Sequence, residues 1–470
     1  MTVDSAREEA PVPDISPVMQ QLAAYCAAAP DAPLPDVVEE KVRHHVLDTI
    51  AAMVSGAHLF PGTQAISYVT SQGGTVEASV PGTGLVTTAT NAALAGGMLA
   101  HADETDDSHA ASLTHPGCAV VPAALAMAQR CGSSGAELLR AVALGYDVGC
   151  RMTLALHAYD FRDAGHSTHS FGPMFGSAVA AGALARLGDR GVRHLLSYTA
   201  QQASGVACWM RDPDHVEKAF DFGGMPARNG VAAATMVQHG FTGVEDVFSG
   251  QRNFFLAYDE SGRIGRPPVP ERLLEGLGET FEIMNTNIKR WSVGSPIQAP
   301  LDGLFALVHE EGLRADHVTR LDVRVAHHGA VTVNDRDMAN ICLQHLCALM
   351  LVDRNVTFVS AHDQERMADP AVLDVRGRVH LHGDDEMTAA MPSRQAFLDL
   401  ELRDGRRRRV HVDAVRGTFD NPMTRAEVDA KCFDLMAPVL GDDRARELCD
   451  AVWAMDGTTE VSSLRRLWKD

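Results

Sequence analysis

Apolar residues recur at helical spacing through the first 250 residues of the chain. In the segment 37–54, valine or isoleucine stands at positions 38, 42, 46 and 50, and a Ser-Gly pair follows, which predicts a helix. Other segments are rich in Ala, Gly, Leu and Met, as is typical of helices buried on nearly all sides. They are 89–102, 122–129, 135–150, 175–187 and 192–203. The small residues of 175–187 predict that helix backbones approach closely there.

The pattern changes after a polar, proline-containing connection at 259–273. Beyond it, apolar and polar residues alternate in short stretches, which indicates half-buried strands. The predicted strands are 321–325, 330–333, 377–381, 397–402 and 409–415, with helices at 299–311 and 341–351 and a hairpin turn at 403–406. Helical spacing returns from Asn421, where Thr424 is a predicted cap, and continues through 426–440 and 442–455.

This order predicts a mostly α fold with an α+β insertion. We expect residues 15–275 and 420–470 to form one large all-helical domain, residues 280–418 to form a smaller α+β lid domain, and residues 1–14 to be a disordered leader. A further short strand is predicted near 75–81.

Composition narrows the class of function. The 470 residues carry a formal net charge of −20, which disfavours nucleic-acid binding and electrostatic attachment to anionic membranes. No stretch reaches the roughly 20 apolar residues that span a bilayer, and the acidic N-terminus does not resemble a signal peptide. We therefore predict a cytoplasmic protein. The nine cysteines are scattered and form no CxxC pair, so we expect mostly buried, reduced thiols.

The densest polar cluster, 101–109, lies between apolar segments and is followed by Thr-His-Pro-Gly at 114–117. A helix continuing through it would group His101, Glu104, Thr105 and Ser108 on one face, and Asp103, Asp106 and Asp107 on another. The cluster has three interpretations. It is a solvated helix end, a magnesium site built on Asp103 and Asp107, or a general acid/base site that combines His115 with a carboxylate. We favour the third, because charges between core helices need partners or a function.

Three more segments carry candidate chemistry. The His/Ser/Thr loop at 165–172 precedes a predicted helix and either caps it or offers an anion site. Lys218 precedes a glycine pair, and Lys289 opens the predicted lid; each lysine could hold a carboxylate or be a surface charge. The chain contains no G-x-S-x-G elbow, no GxGxxG motif and no P-loop, so neither serine-hydrolase chemistry nor nucleotide binding is indicated.

Six motifs, taken in order, resemble the MmgE/PrpD family, whose members include 2-methylcitrate dehydratase, cis-aconitate decarboxylase and iminodisuccinate epimerase. The motifs are AHADETDDSHAASLTHPG, HSTHSFGPMFGSAVAAG, KAFDFGGMPARNGVAAATMVQHGFTG, NIKRW, VNDRDMANICLQ and NPMTRAEVDAKC. The resemblance extends from about Ile15 to Trp468. It implies a large helical domain formed by both chain ends, a small α+β lid, a homodimer, and catalysis without a metal or an organic cofactor.

The resemblance also implies roles for individual residues. It assigns catalytic roles to His115, His166 and Glu104. It assigns substrate binding to Lys218, Lys289, Ser108, His109, His169 and Arg290. Glu104 stands where an aspartate is usual and Ser108 where a threonine is usual. His166 matches the family's second histidine best, but a one-residue insertion leaves open whether His166 or His169 faces the site.

The implied chemistry is removal of a proton from a carbon next to a carboxylate. Dehydration or hydration of a 2-methylcitrate-like di- or tricarboxylate is the reaction we expect. Epimerisation, decarboxylation and non-catalytic carboxylate binding are the alternatives. The decarboxylase pattern has a histidine and a tyrosine where this chain has Gly294 and Thr332, which disfavours decarboxylation.

Overall fold

A computed structural model describes residues 15–468 of the protein. The predicted disordered leader, 1–14, lies outside these residues. Buried apolar side chains form two separate cores. The first joins residues between Val18 and Ile288 with residues from Met423 to Trp468 and also includes Phe358. The second is formed by residues between Trp291 and Val415. The predicted fold class, mostly α with an α+β insertion, is confirmed.

Among the described residues, the α-helices that precede the lid belong to the first core. They are α1 Pro17–Ala28, α2 Asp36–Gly56, α3 Phe60–Gln72, α4 Ala89–Ala100, α5 Gly117–Cys131, α6 Gly135–Ala155, α7 Ala158–Asp163, α8 Thr168–Leu184, α9 Asp189–Gln202, α10 Val216–Ala219, α11 Met225–Gln238, α12 Phe254–Ala257 and α13 Ser261–Ile264. The predicted short strand is β1 Ala78–Ser79, which pairs with β2 Val86–Thr87. Within residues 15–468, no helix is both long enough and apolar enough to cross a membrane.

Small residues set how the central helices cross. A Cβ added to Gly176 of α8 would lie 2.4 Å from the carbonyl oxygen of Gly145 in α6, so only glycine permits this separation of the two backbones. The close approach predicted from the small residues of 175–187 is confirmed. It brings the N-terminal turn of α8 against the segment that carries the polar cluster, because Thr168 Oγ1 donates to the carbonyl oxygen of Leu113 at 2.6 Å.

The lid is built around a four-stranded sheet of order β4-β3-β5-β6. Its strands are β3 Val318–Ala326, β4 Val379–Asp384, β5 Ala396–Leu402 and β6 Arg407–Val412. Its helices are α14 Gln298–Glu310, α15 His327–Val333, α16 Leu343–Asp353, α17 Phe358–His362, α18 Pro370–Arg376 and α19 Asp385–Ala389. β3 runs parallel to β4 and antiparallel to β5, and Val323 pairs with both Leu381 and Leu398. This alternation buries one face of the sheet against α14 and α16.

The strand predicted at 330–333 is wrong, because these residues end α15. Four alternating residues fit one helical turn as well as a strand, and Val331 is 79% exposed. The remaining lid strands lie within a few residues of their predicted positions.

The chain returns to the first core in α20 Arg425–Leu440 and α21 Asp442–Trp453. Thr424 caps α20 in a reciprocal arrangement with Glu427, as a Ser/Thr-x-x-Glu sequence predicts. α20 packs on α2, and Lys431 Nζ donates to Asp48 Oδ1 at 2.5 Å and to the carbonyl oxygen of Thr105 at 3.1 Å. Through Lys431, α20 therefore contacts both α2 and the segment that carries the polar cluster. All nine cysteines are unpaired, and seven of them are buried.

Candidate active site

The polar cluster forms a loop and not the continuous helix considered above. α4 ends at Ala100, and residues 101–116 run to α5 through turns and isolated bridges. Asp103 bends the chain by accepting the backbone N–H of Thr105 at 2.9 Å and its hydroxyl at 3.0 Å. Short polar side chains compete with the helix for backbone hydrogen bonds in this way. The prediction that these side chains lie on two faces of one helix is therefore wrong. Residues that were assigned to different faces are close together in the loop.

Asp106 joins two histidines at the centre of the site. His101 Nδ1 lies 2.8 Å and His115 Nδ1 lies 3.1 Å from the same oxygen, Asp106 Oδ2. Because an ionised carboxylate only accepts, each ring carries its proton on Nδ1. Burial would raise the pKa of Asp106, but the two imidazoles hold that pKa well below its usual range. Burial also lowers the pKa of His115, against the pull of Asp106. His115 therefore presents an unprotonated Nε2 near neutral pH.

Both lysines predicted to bind substrate contact Glu104. Lys218 Nζ donates to Glu104 Oε1. Lys289 Nζ donates to the Glu104 carbonyl oxygen at 2.8 Å and lies 3.8 Å from Oε2. Lys289 Nζ is also 3.7 Å from Asp106 Oδ1. Burial alone would raise the pKa of Glu104, but Lys218 and Lys289 keep that pKa well below its usual range. Glu104 is thus an ionised group that holds two cations beside the histidines.

The rings of Phe222 and Trp209 form an aromatic wall along one side of the cluster. Phe222 stacks on His169 with ring centroids 3.8 Å apart and on His101 at 4.3 Å. Trp209 meets the Phe222 ring edge-on at 4.6 Å, and Lys218 Nζ lies 5.3 Å from the Phe222 centroid. Phe222 stands in a π-helical turn, Phe220–Gly224, between α10 and α11, an irregularity that is frequent at functional sites. The wall gives the lysine a partly apolar environment, in which its charge acts more strongly.

The structure separates the two candidate histidines of the 165–172 loop. His169, in the first turn of α8, has its ring centroid 5.2 Å from that of His115. Burial and the nearby imidazoles keep the pKa of His169 well below its usual value. His166 precedes the helix, stacks on Phe161 at 4.2 Å and places Nε2 2.9 Å from Glu260 Oε1. His169 therefore belongs to the cluster, whereas His166 has its partners in a different part of the helical domain.

Two anchors fix the loop. Asp107 is fully buried; it accepts the Tyr146 hydroxyl at 2.6 Å and the Gly117 N–H at 3.0 Å, and lies 2.7 Å from His45 Nδ1. Ser108 exchanges two backbone hydrogen bonds with Asn287, at 2.9 and 2.8 Å. The second anchor determines where Lys289 reaches the site, because Lys289 follows Asn287 by two residues.

Other predicted binding residues lie outside this cluster. His109 Nδ1 is 2.7 Å from Ser112 Oγ, and its Nε2 is 3.1 Å from Glu282 Oε2. Arg290 lies over the rings of Trp291 and Phe305 and is 3.7 Å from Asp302. Ser108 contributes through its backbone. These three residues have structural partners that the resemblance did not indicate.

Sequence reasoning did not select four neighbours of the site, namely Asp106, His215, Trp209 and Phe222, and it gave His101 no catalytic role. His215 adopts φ 62° at the end of a Pro-Asp turn and lies 5.2 Å from His101, ring to ring. Burial and Lys218 lower the pKa of His215 to about 3. The Asp-Pro-Asp-His sequence at 212–215 is a turn signal that could have drawn attention to this residue.

His101, Asp106 and His115 are also spaced as metal ligands, with one ligand atom of each within 4.8 Å of the others. Two histidines and a carboxylate would suit a transition metal. Here the Lys289 ammonium, 3.7 Å from Asp106, already supplies a positive charge that would repel such an ion. Asp103 and Asp107, the residues of the magnesium interpretation, do not share this group, since Asp103 pairs with His362 and Asp107 with His45.

Comparison with known proteins shows the same two-part organisation. The MmgE/PrpD N-terminal domain matches residues 20–265, and the MmgE/PrpD C-terminal domain matches residues 291–455. A cis-aconitate decarboxylase-like protein, oryM, from Aspergillus oryzae is 25% identical over 96% of this chain and 97% of its own length. A cis-aconitate decarboxylase from Aspergillus terreus is 23% identical over 92% of both chains. The two domains together cover most of the chain, which therefore belongs to the MmgE/PrpD family.

Proposed function

We propose that the protein is a lyase that removes a proton from the carbon next to a carboxylate of a small di- or tricarboxylate, with dehydration or hydration as the net reaction. The observation that carries this proposal is the Asp106-oriented His115 in one cluster with Lys218 and Lys289. Such a cluster combines a base with fixed positive charge at the place where negative charge develops.

His115 is the proposed base. Its Nδ1 is held by Asp106, and this contact leaves Nε2 available to a substrate. A carboxylate behind an imidazole fixes the tautomer and stabilises the imidazolium that forms when the ring takes a proton. His115 can therefore accept the proton from carbon on Nε2 and later return it.

Lys218 and Lys289 are the proposed carboxylate-binding groups. Proton removal moves negative charge onto the oxygens of the adjacent carboxylate, and two ammonium groups held by Glu104 are oriented before the reaction begins. Preorganised charge of this kind often supplies the largest part of a rate enhancement. Glu104 is ionised, so its proposed role is to position the lysines.

His169 is the proposed partner of His115. A neutral imidazole can donate an N–H hydrogen bond to a leaving oxygen without carrying a charge. The stack of His169 on Phe222 fixes the plane of the ring, and the 5.2 Å ring separation from His115 leaves both rings within reach of one small substrate.

Proton exchange in deuterated buffer tests the proposed function. The protein is incubated with hydroxylated and unsaturated di- and tricarboxylates, and deuterium incorporation is followed by NMR and mass spectrometry. We expect exchange at the α-carbon together with gain or loss of water, unchanged by a chelator. Thermal stabilisation by carboxylates without any exchange would indicate a binding protein, and loss of activity with the chelator would indicate a metal site at His101, Asp106 and His115.

Decarboxylation is the second candidate, because both relatives named above are described as cis-aconitate decarboxylase or as similar to it. At the two positions where the decarboxylase pattern differs, Gly294 has apolar neighbours and Thr332 is exposed and bonded to the carbonyl oxygen of His328 at 2.9 Å. Neither residue offers an acid. Release of carbon dioxide from cis-aconitate would favour this reaction over dehydration, and deuterium in a recovered stereoisomer would indicate epimerisation.

The two loop histidines should behave differently on substitution. We expect His169→Ala to lower kcat/KM by about 10²-fold, the lower range for a proton-transfer group, because its ring adjoins His115. We expect His166→Ala to lower kcat/KM less than about five-fold, since its loss removes a contact with Glu260 that resembles a partly exposed ion pair. Steady-state kinetics of the two variants, with far-UV circular dichroism as the folding control, compares them. Equal losses would contradict this assignment.

A further inference from the structure

The short lid helix α17 lies against the helical domain. Phe358 belongs to the apolar core of that domain, and its backbone N–H donates to Asp434 Oδ2 of α20 at 2.7 Å. At the other end of α17, His362 Nε2 lies 2.9 Å from Asp103 Oδ2. The two ends of this five-residue helix thus contact the helical core, through Phe358, and the loop that carries Glu104 and Asp106, through His362.

The hydrogen bonds around His362 determine where its protons are. Nδ1 is 2.8 Å from the carbonyl oxygen of Phe358, and a carbonyl only accepts, so Nδ1 is protonated. Asp103 already accepts the N–H and the hydroxyl of Thr105. Its remaining contact with His362 is a hydrogen bond only if Nε2 is protonated as well. The ring that pairs with Asp103 is therefore an imidazolium.

A second partner is available to the neutral ring. Asn340 of the lid places Nδ2 3.3 Å from the same Nε2. Without its second proton, Nε2 becomes an acceptor; it can then bond the Asn340 amide, but not the Asp103 carboxylate. The two protonation states of His362 therefore favour different contacts, one across the domains and one within the lid.

The groups that face His362 stabilise its charged form. Burial alone would lower the pKa of His362, but the hydrogen bond and charge of Asp103 outweigh burial and raise that pKa. The same pair keeps the pKa of Asp103 below its ordinary value. Among residues 15–468, the charged partner of the ring is Asp103, and its polar neighbours from the lid are the Phe358 carbonyl and the Asn340 amide. The pair is thus lost as the pH rises through the raised pKa of His362.

We propose that His362 is a positioning residue, whose imidazolium fixes the loop segment 103–106 from the lid side and so couples lid contact to the arrangement of Glu104 and Asp106. Lys431 fixes the same segment from the helical side through the carbonyl oxygen of Thr105. This inference rests on the proposed function, because Glu104 and Asp106 matter through Lys218, Lys289 and His115.

Three variants of the full chain test the proposal by proton-exchange kinetics across pH. His362→Leu removes the pair, His362→Gln keeps a donor that cannot titrate, and His382→Gln is the matched control. His382 forms a comparable contact, with Nε2 2.8 Å from Asp322 Oδ1, but within the lid sheet. We expect His362→Leu to lower kcat/KM by about 10- to 100-fold, the range for a hydrogen bond between charged groups. The wild-type protein should show a decline of kcat/KM at alkaline pH, His362→Gln should lose this decline, and His382→Gln should match wild type.

Hydrogen exchange of the 101–116 peptide gives a readout that does not depend on activity. After correction for intrinsic rates, protection should fall with rising pH in the wild-type protein but not in His362→Gln. An unchanged pH profile and unchanged protection in both His362 variants would overturn the proposal. If His115→Ala keeps full activity, the proposed function fails, while the hydrogen-exchange result still decides the role of His362.

Discussion

Replacement of His115 with alanine is expected to lower kcat/KM by about 10²–10⁴-fold, the usual contribution of a general base. The expectation follows from three features of this ring. Its Nδ1 is oriented by Asp106 at 3.1 Å, this contact leaves Nε2 available to a substrate, and burial lowers its pKa. Steady-state proton exchange with the best substrate of the carboxylate panel measures the effect.

The direction in which kcat/KM should change with pH can also be predicted. His115 works as a neutral base, so activity is lost when the ring is protonated, and its pKa lies below the ordinary value of about 6.5. The acid limb of kcat/KM should therefore lie below about pH 6.5, and added imidazole should restore part of the activity of His115→Ala. His411→Ala, on the exposed edge strand β6, is the control that should behave as wild type. Full activity of His115→Ala at neutral pH would refute the assignment of the base.

Local pattern predicted the helical and strand elements well where one periodicity ran for about five residues or more. The helix predicted at 37–54 is α2, and the strand predicted at 397–402 is β5. The prediction at 330–333 was wrong because four residues do not distinguish a strand from one helical turn. Long-range packing decided that case, since the His327 N–H bonds Thr388 Oγ1 at the start of α15.

The sequence motifs identified residues of the candidate site, but they did not predict how these residues are arranged in space. Lys218 and Lys289 meet at Glu104 although they are far apart along the chain. The pairing of His101 with Asp106 was missed because it depends on α4 ending at Ala100, whereas helical spacing would have placed them apart. His166 and His169 could not be distinguished from sequence, since the choice depends on where α8 begins and on the stack with Phe222.

Replacement of Lys218 with methionine is expected to lower kcat/KM by about 10²–10³-fold, the range for removal of one preorganised charge or donor from a developing oxyanion. Methionine keeps most of the side-chain volume beside Phe222 and Trp209, so the aromatic wall should remain. The variant should also be less stable by roughly 1–3 kcal/mol, because Glu104 loses its direct contact with Lys218 and keeps Lys289 at 3.8 Å. Substrate kinetics and thermal unfolding measure the two effects separately.

The double variant Glu104→Gln with Lys218→Met distinguishes a substrate-binding lysine from one that only neutralises Glu104. Removing both charges leaves no carboxylate without its partner, so the double variant should regain most of the lost stability. If Lys218 binds the substrate carboxylate, activity stays low, because Lys289 alone cannot neutralise the charge that proton removal creates. Recovery of activity together with stability would show that Lys218 serves Glu104 and not the substrate. Glu104→Gln alone completes the cycle, and the coupling between the two positions then measures how much of the lysine's effect passes through the carboxylate.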